Sequence, residues 1–376
     1  MIGINSNINS LVAQQNLNGT QSALSSAITR LSSGKRINSA ADDAAGQAIA
    51  SRMTSQINGL NQGVSNANDG VSMTQTASSG LSQITDNLQR IRQLAVQSAT
   101  GSLSPSDQTA LQKEVAQRIA EVNRIASQTT YNGTNVLDGS AGVVSFQVGA
   151  NVGQTISVDL SQNVSSAKIG GGFAQSGTAI GSITGLSLDA SGAATTGTAA
   201  ITTINVLADG KGGFTYTDQN NQAITSGVAT ASELSVTAAS GTTPGSIAFK
   251  TPTAATSAQT TQLASLNSNN NPPLVSAIDI STTNGANGAI EAIDNALNSV
   301  NAIQANLGAA QNRFTSIAAT QTQQATNLSS AQSQVTDANF AQETANLSKA
   351  QVLQQAGISV LAQANSMPQQ VLKLLG

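Results

Sequence analysis

The 376-residue chain contains no histidine, cysteine or tryptophan. Without cysteine it has neither disulfides nor thiolate metal sites, and it passes through oxidising and reducing compartments alike. Without histidine, a His-based catalytic triad and an H-E-x-x-H zinc site are both excluded. Aromatic residues are 2% of the chain and charged residues 9%, so a large aromatic-anchored enzyme core is not expected. The 15 basic and 18 acidic side chains leave a net charge of -3. No basic stripe is present to neutralise phosphates, which argues against nucleic acid as a partner. No apolar run of about 18 residues occurs, so no membrane insertion is expected. The amino terminus lacks a cationic segment followed by a continuous apolar one, so a Sec-type leader is not expected; the alternatives are the cytosol or export without a cleaved leader.

Charge is also missing locally. Residues 1–29, MIGINSNINSLVAQQNLNGTQSALSSAIT, contain no ionisable side chain, and neither do residues 350–372, AQVLQQAGISVLAQANSMPQQVL. Both stretches carry apolar residues at helical spacing. At one end these are Ile4, Ile8, Leu11, Leu24, Ile28 and Leu31. At the other they are Val352, Ala356, Val360, Ala364, Met367, Val371 and Leu375, with Leu361 and Leu372 beside them. Surface helices normally cover their wet face with Lys and Glu, whereas these use Gln, Asn and Ser. Desolvating a charge is costly unless it is well paired, and a hydrogen-bonded amide or hydroxyl is far cheaper to bury. One apolar stripe on each end would pair the two termini, and the polar but uncharged remainder would touch further copies of the chain. Alone in water, such helices are expected to be disordered and to order on assembly. Flexible polar tails would share this composition, but the regular aliphatic spacing is more than a linker requires.

Between the ends, Met53, Ile57, Leu60, Val64, Ala67, Val71, Leu81, Leu88 and Ala95 follow steps of three and four, which is a heptad seam. Asp42 and Asp43 precede it, where negative charge suits a helix start. A helix of about 55 residues would be roughly 80 Å long and would need partners along its side. Gly59, Gly63, Gly70 and Gly80 fall inside it at about 1 kcal/mol each relative to Ala, so packing must stabilise it. The string SNANDG also resembles a turn; the heptad outweighs it. Ser104, Pro105 and Asp107 form a helix start, and Leu111, Val115, Ile119, Val122 and Ile125 continue an amphipathic helix folding back on the first. TTYNGTNVLDG breaks the pattern with two Gly turns, and VVSFQV and TISVDL alternate around GANVGQ as a β-hairpin.

From about 165 to 287 the composition shifts to Gly, Ser, Thr, Ala and Asn with short β-like runs such as AITTINVL and GFTYT. A loop-rich, β-leaning insert is expected there. Helix returns with Ile290, Ile293, Leu297, Val300, Ile303, Leu307 and Phe314. The fold class is therefore mainly α with β: a long helical coiled-coil rod formed by both chain ends, a β-hairpin region and a β-rich central insert. KIGGGF lacks the downstream Gly-Lys-Ser/Thr of a phosphate loop and is read as a linker. NANDG lacks the remaining ligands of an EF-hand. The eight charges of the insert are sparse and unpaired in spacing, so no carboxylate active site, no metal and no cofactor are expected.

Several long blocks resemble the bacterial flagellin family. At the amino-terminal end they are INSNINSLVAQQNL, LSSGKRINSAADDAAGQAIASRM, NANDGVSMTQTA, LQRIRQLAVQSA and QTTYNGTNVL. Towards the other end stand LGAAQNRF, NLSSAQSQVTDANFAQETANLSKAQVLQQAGISVLAQAN and VLKLLG. The blocks cover roughly 1–165 and 286–376; the middle is not assigned by this resemblance. It implies a non-enzymatic, secreted structural subunit that polymerises into the extracellular flagellar filament for swimming. It also implies export through the flagellum's own channel, an export chaperone on the C-terminal segment, and cap and junction proteins. The implied division is 1–42 and 336–376 as inner-tube helices, 43–165 and 287–335 as outer-tube helices with the hairpin, and 166–286 as an exposed variable domain. A host flagellin-sensing Toll-like receptor is a further implied partner, at Gln89, Arg90, Leu94 and Gln97 in LQRIRQLAVQ and at Glu114. An Arg and a Glu flanking an aliphatic patch suit a protein anchor, or the same groups serve filament packing; Gln93 stands where many members have Glu. Leu372, Leu374 and Leu375 match positions read by cytosolic immune sensors, or serve core packing. The alternatives to a filament subunit are a hook–filament junction protein and a filament-displayed adhesin.

Overall fold

The structure is a computed structural model that describes residues 7–227, 234–241, 243–250 and 256–375, the last eight by backbone only. In chain order it runs α1 (Ile8–Ser33), α2 (Ala44–Ser98), α3 (Pro105–Gln128), β1 (Thr130–Tyr131), β2 (Thr134–Asn135), β3 (Gly142–Gln147) and β4 (Thr155–Leu160). The insert follows with β5 (Ala179–Leu188), β6 (Ile201–Ala208), β7 (Phe214–Asp218), β8 (Ala223–Ile224), β9 (Leu234–Thr237), β10 (Ser246–Phe249) and α4 (Ser257–Asn269). Helices α5 (Thr283–Thr336) and α6 (Phe340–Leu375) complete it. Two compact units result, one of residues 1–66, 147–154 and 317–376, the other of 67–146 and 155–316.

In the first unit α1 packs along α6. Asn7 caps α1 by accepting the Ser10 N–H, and its Nδ2 donates to the Ala364 carbonyl at 2.7 Å. Further along, Gln354 Nε2 donates to Gln21 Oε1 at 2.7 Å, and Arg30 meets Glu343 at 3.1 Å. Residue numbers therefore rise on one helix as they fall on the other, so the pair is antiparallel. The link after α1 turns at Gly34, φ 69°, and is pinned by Arg36 N–H to Thr336 O at 2.7 Å and Ala338 N–H to Gly34 O at 2.9 Å. Asp43 opens α2 by accepting from Gly46 N–H at 2.9 Å. Asp42 instead ties the link by accepting from the Ser39 and Asn38 N–H groups, and these bonds, Ser39's first, hold its carboxyl below the usual carboxylate range.

The second unit explains the glycines inside α2. Leu81, Ile84, Leu88, Ile91, Leu94 and Ala95 of α2 are buried, as are Val115, Val122 and Ile125 of α3 and Ile293, Val300, Leu307 and Phe314 of α5. A Cβ at Gly70 would lie 2.6 Å from Phe314 Cζ. The same ring meets Phe146 edge-on at 5.3 Å. SNANDG is thus helix, because only glycine admits that ring. In the first unit Gly63 plays the equivalent part, its Cβ position lying 2.4 Å from the Val148 carbonyl oxygen. Helix α3 begins with a full capping box of Ser104 and Asp107 and Pro at its start. TTYNGTN forms a hairpin of its own, β1 with β2, closed by Asn132 and Gly133 at φ 49° and 78°, the left-handed pair a tight hairpin requires. Strands β3 and β4 pair as expected.

Within the insert β5-β6-β7-β8 form an antiparallel sheet, and β9 and β10 a separate pair. Their inner faces share a core of Ile183, Ile204, Val206, Tyr216, Leu234, Ile247 and, from α4, Leu263 and Leu266. Helix α4 is absent from the reading of this segment as loop and strand. Its start is a Thr256–Gln259 capping box, which the alternating Ser and Thr of the surrounding sequence conceal.

Candidate functional site

The antiparallel pairing sets the two charge-free stretches side by side. Ionic groups stand at one end of the pair, where Glu343, its side chain 8% exposed, meets Arg30. Asn346, then Arg30, hold the Glu343 carboxyl below its ordinary range. Beyond that point the contacts are amide and hydroxyl, as in Ser10 Oγ to Asn365 Oδ1 at 2.7 Å.

Pairing uses small residues. Ala13, Ala27, Ala350 and Ala364 are buried, and Leu24, Leu31 and Leu361 are half-buried. A Cβ at Gly357 would stand 3.3 Å from Leu17, so the helices run close there. The expectation that one apolar stripe is consumed by pairing, leaving a merely polar remainder, is corrected on this point. Ile8, Leu11, Ile28, Val352 and Val360 are exposed to between 51 and 69%. Each end therefore keeps large aliphatic residues outside the pairing seam, because the close-packed seam admits chiefly small ones. Grooves of about 570 and 420 Å³ indent this helix pair. Their walls include Ala23, Leu353 and Asn16, shallow relief suited to side chains of another helix. Ile4 lies outside the described residues, as do the side chains of Val371, Leu372, Leu374 and Leu375.

On α2 and α3, Arg90 Nε donates to Glu114 Oε1 at 3.0 Å and Arg90 Nη1 to Gln93 Oε1 at 3.3 Å. Gln89 and Gln97 are exposed beside them. Leu94 departs from the expected surface patch: it is 1% exposed, next to the seam residue Ala95, because the buried face of α2 is wider there than the seam alone. Arg92 is held within the chain by two bonds to Asp294, at 2.7 and 3.1 Å. The described residues hold no group of three or more potential metal-ligating side chains. No described helix is long and apolar enough to cross a membrane.

Paired terminal helices that leave large aliphatic residues uncovered define a self-assembling structural protein. Residues 4–142 match the bacterial flagellin N-terminal helical region, 172–269 the flagellin D2 domain and 290–375 the bacterial flagellin C-terminal helical region. B-type flagellin of Pseudomonas aeruginosa is 37% identical over 99% of each chain, and flagellin B of Vibrio cholerae is 37% identical over the whole of both. The solved structure of FliC from Burkholderia pseudomallei covers 65% of this chain and all of its own, at 57% identity and a TM-score of 0.61. The chain belongs to the bacterial flagellin family. It is a structural subunit that polymerises with copies of itself into the extracellular flagellar filament, which sets aside the junction-protein alternative. The D2 match also gives the insert a family, which its Gly- and Ser-rich sequence had not revealed.

Proposed function

We propose that the filament is built through the uncovered faces of the terminal pair, with Ile8, Leu11, Ile28, Val352 and Val360 contacting further copies and Leu24, Leu31 and Leu361 holding α1 on α6. Residues 1–42 and 336–376 form the innermost layer, 43–165 and 287–335 the layer around it, and 166–286 the outer display domain. The observation that carries this is the exposure of large aliphatic residues, 51 to 69%, on two stretches without a single ionisable group. Several large aliphatic residues exposed on one helix pair mark an interface, and the missing charges remove the penalty of closing it. Ile4, Val371, Leu372 and Leu375 extend the same pattern towards the chain ends.

Export precedes assembly, so the same apolar stripe of 350–372 is the surface an export chaperone covers. Cap and junction proteins meet the subunit at the two ends of the filament. Gln89, Arg90, Gln97 and Glu114 form a recognition surface for a host flagellin-sensing Toll-like receptor, with Leu94 supporting it from beneath.

Replacing Leu11 and Val352 together by Ser tests the assembly face. Burying such a side chain contributes about 1.5–3 kcal/mol, and every 1.4 kcal/mol is about tenfold in affinity. The critical concentration for assembly, read by sedimentation and electron microscopy, is expected to rise at least about a hundredfold. Assembly at the unaltered concentration contradicts the assigned face. Deleting residues 170–285 is expected to leave filaments intact; if the insert acts as an adhesin, adhesion alone falls.

A further inference from the structure

We propose that α4 guards a latent strand-addition surface: its amide side chains occupy the open edges of β5 and β10, which would otherwise take an extended edge strand from a second copy of this chain. β5 is the outer strand of the four-stranded sheet and β10 belongs to a pair. Such edges present rows of unpaired N–H and C=O groups.

The backbone groups at these edges are satisfied by amides in the pattern a strand would use. Thr184 pairs with Thr203 of β6. Its N–H donates away from that partner to Gln262 Oε1 at 3.1 Å, and its carbonyl accepts from Gln259 Nε2 at 3.2 Å. Two glutamines thus stand in for one residue of an added strand. Ile247 of β10 pairs with Val236. A single amide answers both its groups: Ile247 N–H donates to Asn267 Oδ1 at 2.8 Å, and Asn267 Nδ2 donates back to Ile247 O at 2.9 Å. Asn269 Nδ2 adds a bond of 2.8 Å to the Ile180 carbonyl.

Lys, inward charge and Pro are missing from these edges. Edge strands are commonly blunted by Lys, inward charge or Pro, yet AIGSITGLSL and SIAF contain none of these. Register shifts flank the middle of β5; the regular stretch between them, Gly181–Thr184, ends at the residue where Gln259 and Gln262 dock, and Gln259 Nε2 also reaches the Gly185 carbonyl at 3.3 Å. A second copy is the occupant because an identical edge carries the same donor and acceptor spacing, and the filament supplies such copies at high density. Only that last step rests on the filament reading.

The test uses the full chain with Gln262→Met and Asn267→Leu, which keep side-chain size and leave the Thr256–Gln259 capping box untouched. In the soluble chain, amide exchange at Thr184 and Ile247 is expected to quicken at least tenfold while Ile204 in the sheet centre stays protected. In polymerised material, filaments are expected to adhere side by side. Ala264→Leu, adding apolar surface to the exposed side of α4, is expected to leave filaments dispersed. If Ile204 also loses protection, the two single variants, each opening one edge, give the reading. Unchanged exchange at Thr184 and Ile247 overturns the guard; dispersed filaments despite faster exchange overturn the strand-adding partner. Equal adhesion of Ala264→Leu filaments does so too. Failure of the double variant to polymerise at all bears on the filament reading alone, and exchange in the soluble chain then decides the guard.

Discussion

Glu291 is a buried carboxyl with one oxygen left without a partner. It is 7% exposed and its Oε2 has no hydrogen-bond partner. Burial, then the neighbouring Asp294 carboxylate, push its carboxyl up, opposed by the Gln175 backbone N–H and by Arg92. A carboxyl whose folded value is raised binds its proton more tightly in the folded chain, so stability is gained at acid pH and lost as pH rises through the folded value. Glu291→Gln is therefore expected to raise stability at pH 7 by roughly 1 kcal/mol and to flatten its rise on mild acidification, measured by urea unfolding at the two pH values. Glycines supply a second residue-level outcome. Gly→Ala inside a helix ordinarily stabilises by about 1 kcal/mol, and Gly308, with nothing within 4 Å of its Cβ position, should behave so. Gly70→Ala reverses the sign, by about 1–3 kcal/mol, because Phe314 occupies the space; thermal unfolding of both variants checks the contrast. That packing must offset the cost of these glycines was legible from a heptad running through them; that the glycines themselves make room for a neighbour was not. That Phe314 was the partner was not, because nothing local in the sequence links positions 244 residues apart.

At the scale of elements, legibility followed periodicity and capping. The α2 and α5 seams, the Ser104 start and the β3–β4 hairpin are each written in spacing or cap chemistry within a few residues. Ser104→Ala removes the Asp107 N–H partner and is expected to lower stability by about 1 kcal/mol, read from the urea midpoint. Helix α4 escaped because its polar surface is Gln, Ser and Thr, which does not contrast with the strands around it; what holds it helical is the docking of Leu263 and Leu266 on the sheet. In α1 and α6 the apolar residues were legible but their allotment was not. Sequence spacing shows an apolar residue on a face without saying which of two faces a partner helix takes, and small residues won the seam because Gly357 and Ala13 let the backbones approach.

For the whole molecule, the missing charges carried more information than any motif. Gln, Asn and Ser in place of Lys and Glu over two terminal stretches indicated enclosure, and the antiparallel pairing places those stretches together with aliphatic side chains still facing outward. Leu94 shows the opposite limit: a family position at the surface in expectation lies in the core here, beside the seam residue Ala95, where the buried face of the helix is broader than its seam. The central claim is that both ends are uncharged because other copies enclose them in the filament. Amide hydrogen exchange over residues 8–33 and 350–367, compared between the free chain and the assembled filament, tests it most directly. Enclosure requires protection at least about a hundredfold greater in the filament; equal exchange in the two states would contradict it.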